Sequence, residues 1–247
     1  MINPYGILIS IAIFISIKTA EGIIEKKDED TLWGLSLWAI IFGIIGARLY
    51  HVLDYLDFYI KNPVEILFLW NGGLGIFGAV LGGIGGGVIY LKVKGKKILP
   101  WLDIISVVTP LGQATGRWGN FFNNEIFGKP TTLPWGIYIN PENRPLMFFN
   151  NEKFHPLFIY ESILNLILFI FLYRTYKRKH NKLKSGFFMS VYLLGYSVIR
   201  FSLEFLRIDP WTTHLSPSLT LNVAQTISIL LIILSLTFIF TNKGNKK

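Results

Sequence analysis

Seven apolar runs, roughly residues 4–20, 32–53, 74–91, 98–116, 156–173, 186–206 and 219–241, constrain this chain more than any other feature. Most reach the ~17–25 residues that a helix needs to span a ~30 Å hydrocarbon core. Inside lipid every backbone N–H and C=O must be bonded within the segment, so an isolated span has to be helical. Composition agrees where it bears on this. Only 16% of the 247 residues are charged, 51% are hydrophobic and mean hydropathy is +0.46. A water-facing exterior normally draws on about 25% charged residues. Disordered and disulfide-rich classes are excluded, and the balance is against a soluble enzyme. With no cysteine there is no disulfide, no thiolate metal site and no cysteine nucleophile, so any reacting thiol must come from a substrate.

The first run has no basic region before it and no small-residue cleavage site, so it is expected as an uncleaved span. Pro100 precedes the fourth run and Pro156 opens the fifth, both suited to a first helical turn. Ser216, Pro217 and Ser218 offer caps before the seventh, and Pro110 predicts a kink within the fourth. With the N-terminus outside, the inward segments hold 16 of the 24 Lys+Arg, including the cluster from Arg174 to Lys184. That bias predicts N-out and C-in. The net charge of +9 then reflects topology and anionic lipid rather than nucleic acid. Residues 118–155 become the longest outer segment, with Pro130, Pro134, Pro141, Pro145 and the buried-looking Trp135 and Tyr138. The expectation is an all-α integral membrane protein of seven transmembrane helices. It forms one polytopic domain over 1–247, with an ordered outward-facing cap at 118–155 between spans four and five.

Polar residues inside or beside apolar runs are the candidate functional groups, because charge in a span is costly and usually faces a protein interior or an aqueous cavity. Gly116-Arg117-Trp118-Gly119-Asn120-Phe121-Phe122-Asn123-Asn124-Glu125 gathers a cation, three amides and a carboxylate at the end of the fourth run. A capped helix end with a snorkelling arginine accounts for Arg117 but not for the density of amides. Tyr196, Arg200, Glu204 and Arg207 are spaced +4, +4 and +3, one stripe on a helix. They form either a structural ion pair or, with two arginines to one glutamate, a net cation for an anionic ligand. His155-Pro156 with Tyr160-Glu161 starts the fifth run, and Arg48 with His51 ends the second. Asp103 has the position of a capping carboxylate. The segment 71–87 holds nine glycines, and Gly73, Gly75 and Gly78 satisfy GxGxxG. No acidic residue follows at the dinucleotide spacing, so close helix packing through Gly78 and Gly82 is one reading. The other is that Gly72 and Gly73 present backbone N–H groups to a ligand.

Arg48, Arg117, Asn120, Glu125, His155, Glu161, Arg200 and Glu204 are expected to converge on the outer leaflet as a site for an anionic lipid headgroup. Neither a metal nor a cofactor has sequence support. The competing class is a transporter or lipid-binding protein without catalysis. Such sites usually lie near the midplane between internal repeats, and no repeat is evident here.

The stretch Gly116 to Gly128 resembles the signature of the bacterial prolipoprotein diacylglyceryl transferases. Further matches are Trp70-Asn71-Gly72-Gly73-Leu74, His155-Pro156 with Tyr160-Glu161, and Gly195-Tyr196 with Arg200, Glu204 and Arg207. Gly46-Ala47-Arg48-Leu49 and Tyr5-Gly6 match more weakly. The resemblance implies transfer of the diacylglyceryl group of phosphatidylglycerol to the lipobox cysteine thiol of a preprolipoprotein, in the bacterial cytoplasmic membrane, without a cofactor. It implies Arg117, Arg200 and Glu204 as catalytic, and Arg117, Asn120, Tyr196, Arg200 and Arg48 as phosphatidylglycerol ligands. Glu125, His155, Glu161, Arg207, Gly72 and Gly73 would support them. Phe77 stands where many members of the family carry a histidine assigned as a base, and it cannot take a proton.

Overall fold

The computed structural model describes residues 4–123, 125–208, 212–216 and 219–242. In chain order the helices are α1 (Pro4–Glu21), α2 (Glu29–Asp54), α3 (Leu56–Lys61), α4 (Ile76–Val93) and α5 (Ile98–Phe122), then α6 (Leu157–Lys179), α7 (Phe187–Glu204) and α8 (Val223–Thr241). Strands β1 (Ile137–Tyr138) and β2 (Lys153–Phe154) lie between α5 and α6. Strands β3 (Thr212–Ser216) and β4 (Leu219–Asn222) precede α8. Each apolar run is helical over most of its length, although residues 219–222 of the seventh form β4. Among the described residues four helical stretches are long and apolar enough to cross a membrane: Lys26–Asp54, Ile76–Val93, Leu157–Lys179 and Val223–Thr241. Helices α5 and α7, which carry the polar stripe, fall short of that apolarity.

The chain divides into two compact units, Ile24–Trp101 and Met1–Ile23 with Leu102–Lys247. In the first, α2 and α4 meet through glycine. A Cβ at Gly78 would collide with the Gly46 carbonyl, one at Gly82 with the Phe42 carbonyl, and one at Gly46 with the Gly78 carbonyl. Small residues let the two backbones touch, which gives packing without a hydrophobic driving force between helices. Lys96 Nζ, beyond α4, holds Asp28 Oδ1 before α2 at 2.7 Å. The short α3 and the 3-10 turns Pro63–Leu67 and Leu69–Asn71 connect the two helices.

In the second unit α1 lies on α5. The Tyr5 ring covers Gly119, where a Cβ would come within 2.7 Å of it, and Ser16 covers Gly112 at 2.8 Å. Ser162 on α6 donates to the Ala114 carbonyl on α5 at 2.8 Å. Pro110 sits inside α5, fully buried, and the helix runs on past it. Asp103 caps a helix other than its own. Its carboxylate accepts from the N–H groups of Gly186, at 2.7 Å, and Met189, at 2.9 Å, at the start of α7. Those are donors that a helix leaves unsatisfied. Gly186 precedes α7 with φ of 94°, where a side chain would be strained.

Two boundaries differ from expectation. Helix α5 continues to Phe122, so the segment between α5 and α6 begins at Asn123 rather than 118. Helix α8 begins at Val223 and is capped by Asn222, which exchanges hydrogen bonds with Gln225 in a capping box. Residue 216 lies in β3, and Pro217 and Ser218 are outside the described residues. The segment before α6 is stitched by backbone bonds. Ile137 pairs with Phe154, Gly128 N–H donates to His155 O at 2.8 Å, and Lys129 N–H donates to Leu206 O at 2.8 Å. Trp135 and Tyr138 are not buried as expected but 57% and 58% exposed. Each is nonetheless held: Trp135 Nε1–H donates to Tyr160 Oη at 2.7 Å, and the Arg144 guanidinium lies 5.2 Å from the Tyr138 ring.

Candidate functional site

The polar residues of α5, α6 and α7 meet inside the second unit. Arg117 NH2 lies 2.5 Å from Glu161 Oε1, with Glu161 only 2% exposed. Another Arg117 nitrogen is 3.4 Å from Asn120 Oδ1, and the Tyr196 side chain lies close to the guanidinium. Tyr196 lies among Glu161, Arg117 and Arg200. A buried guanidinium requires a partner in good geometry, and Glu161 supplies it. One turn along α7, Arg200 NH2 is 2.9 Å from Glu204 Oε2, and Arg207 NH1 is 3.7 Å from the same oxygen. Glu204 is buried while Arg200 keeps about a fifth of its surface exposed, at 21%. The cluster therefore holds three arginines, 117, 200 and 207, against two buried glutamates, 161 and 204, a formal excess of one positive charge. Such a group attracts an anion, and planar guanidinium suits phosphate oxygens.

The signature turns sharply where α5 ends. Glu125 N–H donates to the Asn120 carbonyl at 2.9 Å, and its exposed carboxylate receives Asn120 Nδ2 at 3.5 Å and Asn123 Nδ2 at 3.4 Å. Ile126 has φ of 56°, a left-handed conformation that is strained for a β-branched residue. Gly128 is pressed on three sides: a Cβ there would lie 2.7 Å from the Leu206 carbonyl and about as close to Leu157 and His155. Asn124, part of the same signature, lies outside the described residues. His155 is grouped with the segment before α6, its Nδ1 lying 3.2 Å from Tyr160 Oη.

Arg48, Gly72 and Gly73 belong to the other unit and form their own arrangement. Arg48 is 6% exposed. Its Nε donates to Ile66 O at 2.9 Å, NH1 to Gly72 O at 2.7 Å and Gly73 O at 3.1 Å, and NH2 to Phe68 O at 3.4 Å and to Glu65 O. Arginine has five N–H donors, and here five carbonyls receive them. No donor is left over for the phosphatidylglycerol role expected of it. Gly72 and Gly73 adopt φ of 86° and 74°, which turns their carbonyls to Arg48, and the Gly72 N–H donates to Leu69 O at 3.3 Å. Phe77 is 56% exposed and lies 6.0 Å from the Tyr50 ring.

Three residues beside the cluster escaped the sequence reading: Gln113, Asn165 and Tyr192. Each lies four positions from a recognised residue on its own helix, which is the signal that finds them.

The family profile for prolipoprotein diacylglyceryl transferases matches residues 1–241. A phosphatidylglycerol–prolipoprotein diacylglyceryl transferase of Synechococcus elongatus is 38% identical over 247 residues, covering 97% of this chain and 84% of the relative. One from Nostoc is 39% identical, covering 92% of this chain and 81% of its own length. One from Fervidobacterium nodosum is 42% identical, covering 83% and 68%. With a match that runs through the arginine signature, the glycine segment and the α7 stripe, this chain belongs to the prolipoprotein diacylglyceryl transferase family.

Proposed function

We propose that this protein transfers the diacylglyceryl group of phosphatidylglycerol to the cysteine thiol of a prolipoprotein. The observation that carries the reading is the cluster of three half-buried arginines and two buried glutamates around Tyr196, with its surplus positive charge. The substrate sulfur attacks the glyceryl carbon bonded to phosphate oxygen. A carbon–sulfur bond forms, the carbon–oxygen bond breaks, and its electron pair leaves with glycerol phosphate. The thiol proton passes to solvent water before attack, since the thiolate is the nucleophile. Charge grows on the phosphate in the transition state, and preorganised cations stabilise it there more than in the bound lipid.

Arg117 and Arg200 take the phosphate role, with Asn120 and Tyr196 positioning it. Glu161 and Glu204 hold the two guanidinium groups. Phe77 offers no base, so the positive field of the arginines promotes thiolate formation in place of a histidine. Arg48 acts at a remove by shaping the loop that contains Gly72 and Gly73. We read α1, α2, α4, α5, α6, α7 and α8 as seven spans in one polytopic domain of the bacterial cytoplasmic membrane. Their orientation is N-out and C-in, with residues 123–156 as the outward cap.

Purified protein incubated with labelled phosphatidylglycerol and a lipobox peptide should yield thioether-linked peptide and glycerol phosphate. Replacing the peptide cysteine by serine should abolish the product. Arg200→Lys should lower the rate roughly a hundredfold, because a point charge lacks the bidentate fork. Lipid binding without transfer by the folded protein would refute the enzyme reading.

A further inference from the structure

One helical turn from the arginine cluster lies a second, uncharged polar layer. Moving four residues along each helix, a rise of about 6 Å, leads from Arg117 to Gln113, from Glu161 to Asn165 and from Tyr196 to Tyr192. The helix register brings these three together. Arg117 meets Glu161 while Ala114 meets Ser162, so α5 and α6 run antiparallel and Gln113 falls in the layer of Asn165. On the third side, Tyr192 stacks on Tyr196 with centroids 6.0 Å apart, and its ring end lies near the Gln113 side chain.

The layer has acceptors to spare. Asn165 is completely buried; its Nδ2 donates to Glu161 O at 2.9 Å, and its Oδ1 has no partner. Gln113 Oε1 is likewise buried without a partner. A buried carbonyl oxygen without a hydrogen bond is destabilising, and native proteins rarely keep one without a use. Two such oxygens in a neutral layer call for a donor. An ammonium group would find no counter-charge there, because Glu161 is already held by Arg117. An anion would meet two unpartnered carbonyl oxygens and no cation. An uncharged hydroxyl meets both conditions.

Resting on the reading of phosphatidylglycerol as donor lipid, we propose that Gln113 and Asn165 are specificity-determining residues that accept hydrogen bonds from the hydroxyls of the lipid's glycerol headgroup. The phosphate occupies the arginine layer and the headgroup the amide layer. The headgroup leaves with the phosphate, so this recognition selects the lipid without touching the carbon that reacts.

The test compares two donor lipids with the same acyl chains: phosphatidylglycerol, and phosphatidylpropanol, which has the phosphate but no headgroup hydroxyl. The wild-type protein should prefer phosphatidylglycerol by about tenfold or more in kcat/KM, since a site built to bond a hydroxyl rejects the analogue that lacks it. Asn165→Leu and Gln113→Met, each checked for folding by thermal unfolding in detergent, should bring that preference below about threefold, chiefly through loss on phosphatidylglycerol. If one variant does not fold, the other variant and the wild-type ratio decide. Equal use of both lipids by the wild type overturns the proposal and leaves the transferase reading intact. So do folded variants that lose both lipids in proportion. Wild-type protein that transfers from neither lipid refutes the transferase reading itself.

Discussion

Arg117 and Glu161 show how one ion pair joins stability to catalysis. Glu161 is nearly inaccessible while its partner is 23% exposed, so the carboxylate cannot be solvated if Arg117 is removed. Breaking a buried pair by deleting one partner costs up to about 3–5 kcal/mol, much of it from the charge left behind. Arg117→Ala alone should therefore lower both thermal stability and transfer. Pairing it with Glu161→Gln removes the stranded carboxylate while keeping the side-chain shape. The double variant should regain most of the lost melting temperature and none of the transfer. Recovery of neither would place the effect of Arg117 outside the pair, and recovery of both would remove Arg117 from the chemistry. Unfolding monitored in detergent, beside the transfer assay, separates these outcomes.

At the scale of elements, the loop between α3 and α4 depends on a single side chain. Residues 63–73 contain two short 3-10 turns and two glycines at positive φ, and Arg48 gathers five of their carbonyls. Arg48→Met keeps much of the aliphatic stem but removes every donor. Amides within the turns, such as Phe68 to Glu65 O and Asn71 to Phe68 O, should then exchange markedly faster. Those in the middle of α2 should be unchanged. Equal protection in both proteins would show that the loop holds its shape without Arg48. This device was not legible in the sequence, where Arg48 looked like a ligand for an anion; its partners are carbonyls, which every residue possesses. Helices α1, α2 and α4 to α8 were legible because long apolar runs admit few other structures in lipid. Helix α3 and the two short hairpins were not, since a few residues of mixed polarity carry no periodic signal. Asp103 was recognised as a cap, but only the folded chain shows that the helix it caps is α7. The arginine and glutamate stripe of α7 could be read from +4 spacing, and the same spacing would have led to Gln113, Asn165 and Tyr192.

For the whole molecule the remaining proposal is its direction across the membrane, and α6 gives the sharpest test. Its 23 residues extend about 34 Å at 1.5 Å per residue, slightly more than a ~30 Å hydrocarbon core. In the proposed topology its two ends face opposite sides of a bilayer. The end at Leu157 follows the segment that contains Trp135 and Tyr160, and the other closes on Lys177, Arg178 and Lys179, with Lys182 and Lys184 just beyond. Basic residues concentrate on the cytoplasmic side, so the proposed orientation puts the lysine-rich end inward and the segment before α6 outward. The absence of native cysteine makes labelling direct, since a single introduced thiol is the only one in the chain. Asn151 and Asn181 are both exposed and lie beyond opposite ends of α6. In intact cells a membrane-impermeant maleimide should label Asn151→Cys, and should label Asn181→Cys only after the membrane is opened. The reverse pattern would invert the orientation and put the segment before α6 in the cytoplasm. Labelling of both in intact cells would mean that α6 does not cross the membrane.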